Sequence, residues 1–144
     1  MSDSQVEELV AAGVLRRSEI DEATARVELA TARSHLESAA AVAMSDPNAA
    51  FQLAYDATRK SIVAHMRAKG FRTGSGTGRH VKTGRYAAAA LDDPALARHI
   101  AAFDDMRTVR NQSEYDALRL DERDAHDALE HAHAIVAAVE ADLS

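Results

Sequence analysis

The sequence holds no cysteine and no tryptophan, and only two prolines and six glycines among 144 residues, with aromatics at 4%. The missing cysteine excludes disulfides and thiol chemistry and makes a reducing cytoplasm the expected home. So little proline and glycine allows long uninterrupted helices, and so few aromatics leaves the core to leucine, alanine and other small apolar groups. No apolar run approaches the roughly 18 residues a membrane-spanning helix needs, and the first residues lack a signal-peptide pattern, so a soluble protein with no membrane partner is expected. No segment alternates polar and apolar residues or gathers β-branched ones, so no strand is expected. At this length the chain reads as one domain, 1–144, with a single core.

What is present is unevenly spread. The net charge is −6, yet all acids are absent from residues 59–85, which carry Arg59, Lys60, Arg67, Lys69, Arg72, Arg79, Lys82 and Arg85. Acids dominate 1–46 and 120–144. A concentrated basic segment can hold a phosphate locally, because screening confines charge effects to about 10 Å. Alternatively the acidic ends fold against the basic middle and neutralise it.

Helical punctuation is clear along the chain. A short apolar turn around VEELVAAGVL ends near Gly13. Ser18 is expected to open a long helix, with Glu19, Asp21 and Glu22 in its first turn and Ile20, Ala23, Val27, Ala30, Ala32 and Leu36 on its apolar side. Ser45 or Asp46 caps a second helix with Pro47 at its start, and Phe51, Ala54, Tyr55, Thr58, Ile62, His65 and Met66 share its inner side as far as Gly70. Residues 71–85 form a glycine-rich basic stretch, read as a loop, and a short YAAAAL helix follows it. Asp92 or Asp93 with Pro94 opens another helix, which the polar 112–120 stretch interrupts. Asp121 with Asp124 caps a last one carrying Ala125, Ala128, Leu129, Ala132, Val136, Val139 and Leu143 in one stripe. The fold class is therefore all-α, an up-and-down bundle of four to five helices. Its surplus of apolar positions points to a second subunit covering one face.

The candidate site lies in FDDMRTVRNQSEYDAL. Arg107, Arg110, Asn111, Glu114 and Tyr115 fall together before the last helix, with Arg110 and Asn111 expected at a helix end and Tyr115 in the turn beyond. Arginine offers a planar fork of donors matched to phosphate, asparagine can hold a turn by bonding its own backbone, and tyrosine can donate or accept. Equally, Arg110 could cap carbonyls or pair with Glu114, and Tyr115 could close the core.

On these residues the chain resembles the HEPN superfamily of small dimeric helical bundles. LAYDATRKSIVAHMRAKGF is similar to that family's second core helix, GTGRHVKTG to its histidine-containing loop, and RNQSEYDALRLDERDAHDALEHAHAIVAAVEADL to its motif and last helix. The resemblance implies a homodimer through the last two long helices, with Arg110, Asn111 and Tyr115 facing their copies across the twofold axis so that the site lies at the dimer interface. In many members it implies a metal-independent ribonuclease of toxin–antitoxin or antiviral systems, with an arginine holding the scissile phosphate and a histidine a few positions on moving protons. Tyr115 stands at that histidine's place, and tyrosine, titrating near 10, is a poor base at neutral pH. The resemblance leaves three roles for the cluster: binding RNA or nucleotide phosphate without cutting, cleaving slowly with Tyr115 and Glu114 in place of histidine, or stiffening the fold. It also implies a cognate toxin, antitoxin or nucleotidyltransferase partner, the last modifying a tyrosine hydroxyl.

Other clusters are weaker. Arg79, His80 and Lys82 could carry charge from the glycine loop toward RNA near Arg110, although no strand and no Gly-Lys-Ser/Thr signature marks a nucleotide loop. His126, Glu130 and His133, with His131 beside them, have helical spacing that suits a metal, but a further ligand would have to come from elsewhere. No cofactor and no metal is expected, and His65 reads as a satisfied core histidine. The expected function is an RNA- or nucleotide-directed component of a toxin–antitoxin or stress-defence system. The competing class is a non-catalytic antitoxin or adaptor module that docks a basic partner on its acidic surface.

Overall fold

The computed structural model describes residues 3–115 and 118–144, with the side chains of 113–115 outside that description. Six α-helices appear among the described residues: α1 (Asp3–Ala11), α2 (Glu22–Val42), α3 (Pro47–Lys69), α4 (Arg79–Ala90), α5 (Ala97–Tyr115) and α6 (Glu122–Leu143). The bundle is thus helical as expected, with one or two more helices than the sequence indicated.

The caps follow local chemistry. Asp46 accepts from the Ala49 amide with Pro47 behind it, where a missing N–H costs nothing. Gly70 ends α3 at φ 85°, a conformation that costs glycine little. Asp93 caps a 3-10 turn, Pro94–Leu96, that leads into α5. Asp121 and Asp124 exchange backbone and side-chain bonds in a reciprocal box at the start of α6.

Two expectations are corrected around the start of α2. Leu15–Arg17 (β1) and Phe71–Thr73 (β2) pair as a short antiparallel ribbon, Leu15 opposite Thr73. The Ser18 amide donates to Gly70 O and the Asp21 amide to Arg67 O, so residues 18–21 are tied to the end of α3 and the helix cannot begin before Glu22. Asp21 is its cap, and the Thr24 amide hydrogen bond holds that carboxyl below the usual range. The buried stripe of α2 is Ala25, Ala32, Leu36 and Ala39, so of the expected apolar side Ala32 and Leu36 are buried whereas Ile20, Ala23, Val27 and Ala30 are exposed.

The basic stretch 71–85 is also more ordered than a loop. β2 takes its first three residues and α4 begins at Arg79, leaving 74–78 as connection. Gly74 is needed for close approach: its amide donates to Val14 O at 2.8 Å, and a Cβ there would overlap Gly13 O. Gly74→Ala is expected to destabilise the fold by about 1–3 kcal/mol, as overpacking does, read as a lower urea midpoint at an unchanged slope.

The core forms around α3, which packs on α2, α6, α5 and α4. Alanines with no exposure, Ala32, Ala39, Ala54, Ala57, Ala64 and Ala132 among them, let the helices come close. The expected inner stripes of α3 and α6 are buried, apart from half-exposed Leu143. Buried His65 behaves as read: Nε2 lies 2.6 Å from Asp142 Oδ2 and Nδ1 lies 2.7 Å from the Tyr86 hydroxyl, joining α3 to α4 and α6. An ionised carboxylate only accepts, so His65 Nε2–H donates to Asp142 and Tyr86 O–H donates to Nδ1. Large exposed apolar side chains among the described residues are Ile20, Val27, Met44, Val81 and Leu118, and none lies on α6.

Candidate functional site

Arg107 and Arg110 do not sit at a helix end. The backbone of α5 stays helical through Tyr115, so both arginines project from within the helix. Residues three apart share one face of a helix, and here that face turns toward α3 and the first turn of α4. The Arg110 guanidinium lies over the Tyr55 ring, 5.3 Å from its centroid. Such a contact between a cation and an aromatic face is worth about 0.5–2 kcal/mol.

Tyr55, read from the sequence as a core residue, is the hub of this site. Its hydroxyl is 2.7 Å from His80 Nδ1, and its ring stacks with those of His80 and Phe103 at 5.6 Å in each case. His80 and Phe103 stack at 4.5 Å. Phe103, one turn before Arg107 on α5, is fully buried and gives the His80 ring a wall. His80 Nε2 lies 3.4 Å from Asp104 Oδ1, within ion-pair range but not aligned as a hydrogen bond; it has no hydrogen-bond partner among the described residues. Arg107 Nε is likewise buried without a hydrogen-bond partner among them.

The electrostatics follow from this packing. Burial pushes the His80 pKa below the usual imidazole value and the Arg107 charge adds to that, against the opposing pull of Asp104, so the ring is neutral at pH 7. Burial raises the Tyr55 pKa, while Arg110, Arg59 and Arg107 work the other way, so the tyrosine sits in the field of three arginines.

Sequence neighbours of these residues line a groove of about 930 Å³ between the end of α3, the ribbon and α4. Arg16, Arg59, Arg67, Arg72 and Arg79 face it against Glu19 and Asp21. Of these arginines Arg67 is paired, with Glu28; Arg59, Arg72 and Arg79 form no ion pair among the described residues. The basic middle of the chain is therefore only partly neutralised by the acidic ends.

The remaining candidates separate. Lys82 Nζ donates to the carbonyls of Ser75, at 2.9 Å, and Gly74, so it braces the glycine connection. Asn111 is half-buried within α5, and it is Asn48 that anchors the residues just before α6: Nδ2 donates to Leu118 O and Oδ1 accepts from the Leu120 amide, each at 2.9 Å. The side chains of Glu114 and Tyr115 lie outside the described residues. On α6, His126 turns to Glu122 and His133 to Arg33, so the histidines with helical spacing do not converge.

Fold and site together define a helical bundle with a basic groove and an arginine pair backed by stacked rings. Compared with protein-family models, curated proteins and solved structures, the chain finds no match.

Proposed function

We propose that this chain binds the phosphate of RNA or a nucleotide, without cutting it, at Arg107 and Arg110. The observation that carries this reading is the Arg110 guanidinium over the Tyr55 ring, whose hydroxyl meets His80, with the Arg107 charge acting on both rings, beside a groove lined by further arginines. The guanidinium forks hold one phosphate, and Arg59, Arg72 and Arg79 meet the next along a strand. His80 acts behind them: its side chain is 9% exposed and its Nε2 is shut off from solvent, so it orients Tyr55 instead of taking a proton from a ribose hydroxyl. The resemblance to HEPN proteins supports placing this binding in a homodimeric component of a toxin–antitoxin or stress-defence system. The adaptor reading draws less support, because acids on which it relies are engaged within the fold: Glu7 with Arg17, Glu28 with Arg67, Glu140 with Arg33 and Asp142 with His65.

The test is anisotropy of a labelled single-stranded RNA at several salt concentrations. Charge-assisted hydrogen bonds contribute about 1.5–3 kcal/mol, so Arg107→Ala or Arg110→Ala is expected to weaken binding at least roughly tenfold. Each is also expected to reduce the salt slope by about one unit. Total RNA incubated with the wild type in EDTA is expected to stay intact. Unchanged affinity in both folded variants overturns the reading, and arginine-dependent cleavage in EDTA replaces it with a metal-independent nuclease.

A further inference from the structure

A second cluster lies where α5 meets α6. His99, in the first turn of α5, is buried, and its Nδ1 stands 2.9 Å from His131 Nδ1 on α6. The rings meet edge-on at 63°, with centroids 5.1 Å apart. Glu130 brings a carboxylate to the same place, so that one ligand atom from each of the three residues lies within 4.8 Å of the others. We propose that His99, Glu130 and His131 bind a divalent transition-metal ion of the Zn2+ class, pinning the start of α5 to α6.

The donor set suits that class. Imidazole nitrogen with one carboxylate oxygen favours zinc and its neighbours over calcium or magnesium, which prefer oxygen alone. Nitrogens about 2.0–2.1 Å from a tetrahedral ion stand ~3.4 Å apart, so the two rings need to part by only a few tenths of an ångström. Without metal, one ring donates its Nδ1 proton to the other; with metal, that proton moves to the same ring's Nε2 and both Nδ1 lone pairs face the ion. His131 is half-buried and Glu130 exposed, which leaves a path for the ion and room for water as its remaining ligand. Arg98 opposes a cation here and holds Glu130 Oε1 at 3.1 Å, but its side chain is 66% exposed and can turn into solvent.

The experiment titrates Zn2+ into the untagged chain by calorimetry and follows the melting temperature before and after EDTA. One Zn2+ per chain is expected, with a rise in melting temperature that EDTA reverses. His131→Ala and Glu130→Gln, both on the outer side of the cluster, are expected to weaken binding about tenfold or more while the chain stays folded. The double variant His126→Ala, His133→Ala is expected to bind as the wild type does. Absence of binding, binding that survives His131→Ala, or binding lost in the double variant overturns the proposal.

Discussion

Phe103→Ala is expected to cost about 3–5 kcal/mol, the usual loss for a buried phenylalanine whose neighbours cannot close the gap. Phe103 has no exposed surface, and the rings of Tyr55 and His80 stack against it. Stacked pairs contribute about 0.5–1.5 kcal/mol beyond the area they bury, and two such pairs are lost at once. The Gly84 Cα side of α4 also rests on this ring, with space for a Cβ 3.7 Å from Phe103 Cδ2, so the cavity would open on α4 as well as α3. Because Tyr55 supports the Arg110 guanidinium, the same substitution is expected to weaken the RNA binding proposed above. Phe103→Leu is expected to lie between the two in stability. Urea denaturation followed by helical circular dichroism measures the first effect, and anisotropy on the folded fraction measures the second. A loss below about 1 kcal/mol would mean that the stacked rings close over the gap.

His65→Leu is expected to lower stability by about 1–3 kcal/mol, because it keeps the volume but leaves the Tyr86 hydroxyl buried without its acceptor. It is also expected to change the response to acid. Burial holds the His65 pKa below its usual value, more than Asp142 raises it. An imidazole of the unfolded chain titrates near 6.5, so between that value and the lower folded one the unfolded state binds more protons. Stability is therefore full above about pH 6.5 and falls as acid carries the pH down through that window. Leucine takes no proton in either state, and the variant's denaturation midpoint is expected to fall less steeply from pH 7 to pH 5. His80 and His99 are depressed in the same direction and leave a residual slope. Parallel slopes for variant and wild type would show that His65 does not titrate on unfolding.

Helix boundaries set by one or two residues were legible in the sequence, and partnerships between distant elements were not. Asp46 with Pro47, Gly70, Asp93 with Pro94, and Asp121 with Asp124 act through their own backbone neighbourhood, so their meaning is carried locally. The start of α2 was misplaced because Ser18 and Asp21 donate to the far end of α3, a contact no local window contains. Ribbon strands of three residues are too short to show alternation. Arg107, Arg110 and His80 were each named from charge and chemistry, but Tyr55, which gathers them, was hidden among the apolar positions of α3. His99 was missed for a similar reason: its partners Glu130 and His131 belong to another helix, while the histidines with helical spacing around them face elsewhere.

The β1–β2 ribbon is expected to close late in assembly. It pairs the residues just before α2 with those just after α3, so it bridges the open end of a hairpin built from those two long helices. In an unfolded chain the two strands are far apart in sequence, and bringing them together carries a loop-closure cost that few ribbon hydrogen bonds can offset. Once α2 and α3 have zipped together the strands are already neighbours, and that cost has been met by helix packing. The ribbon is therefore expected to act as a late latch, its amides protected from solvent exchange only while the hairpin beneath them is closed.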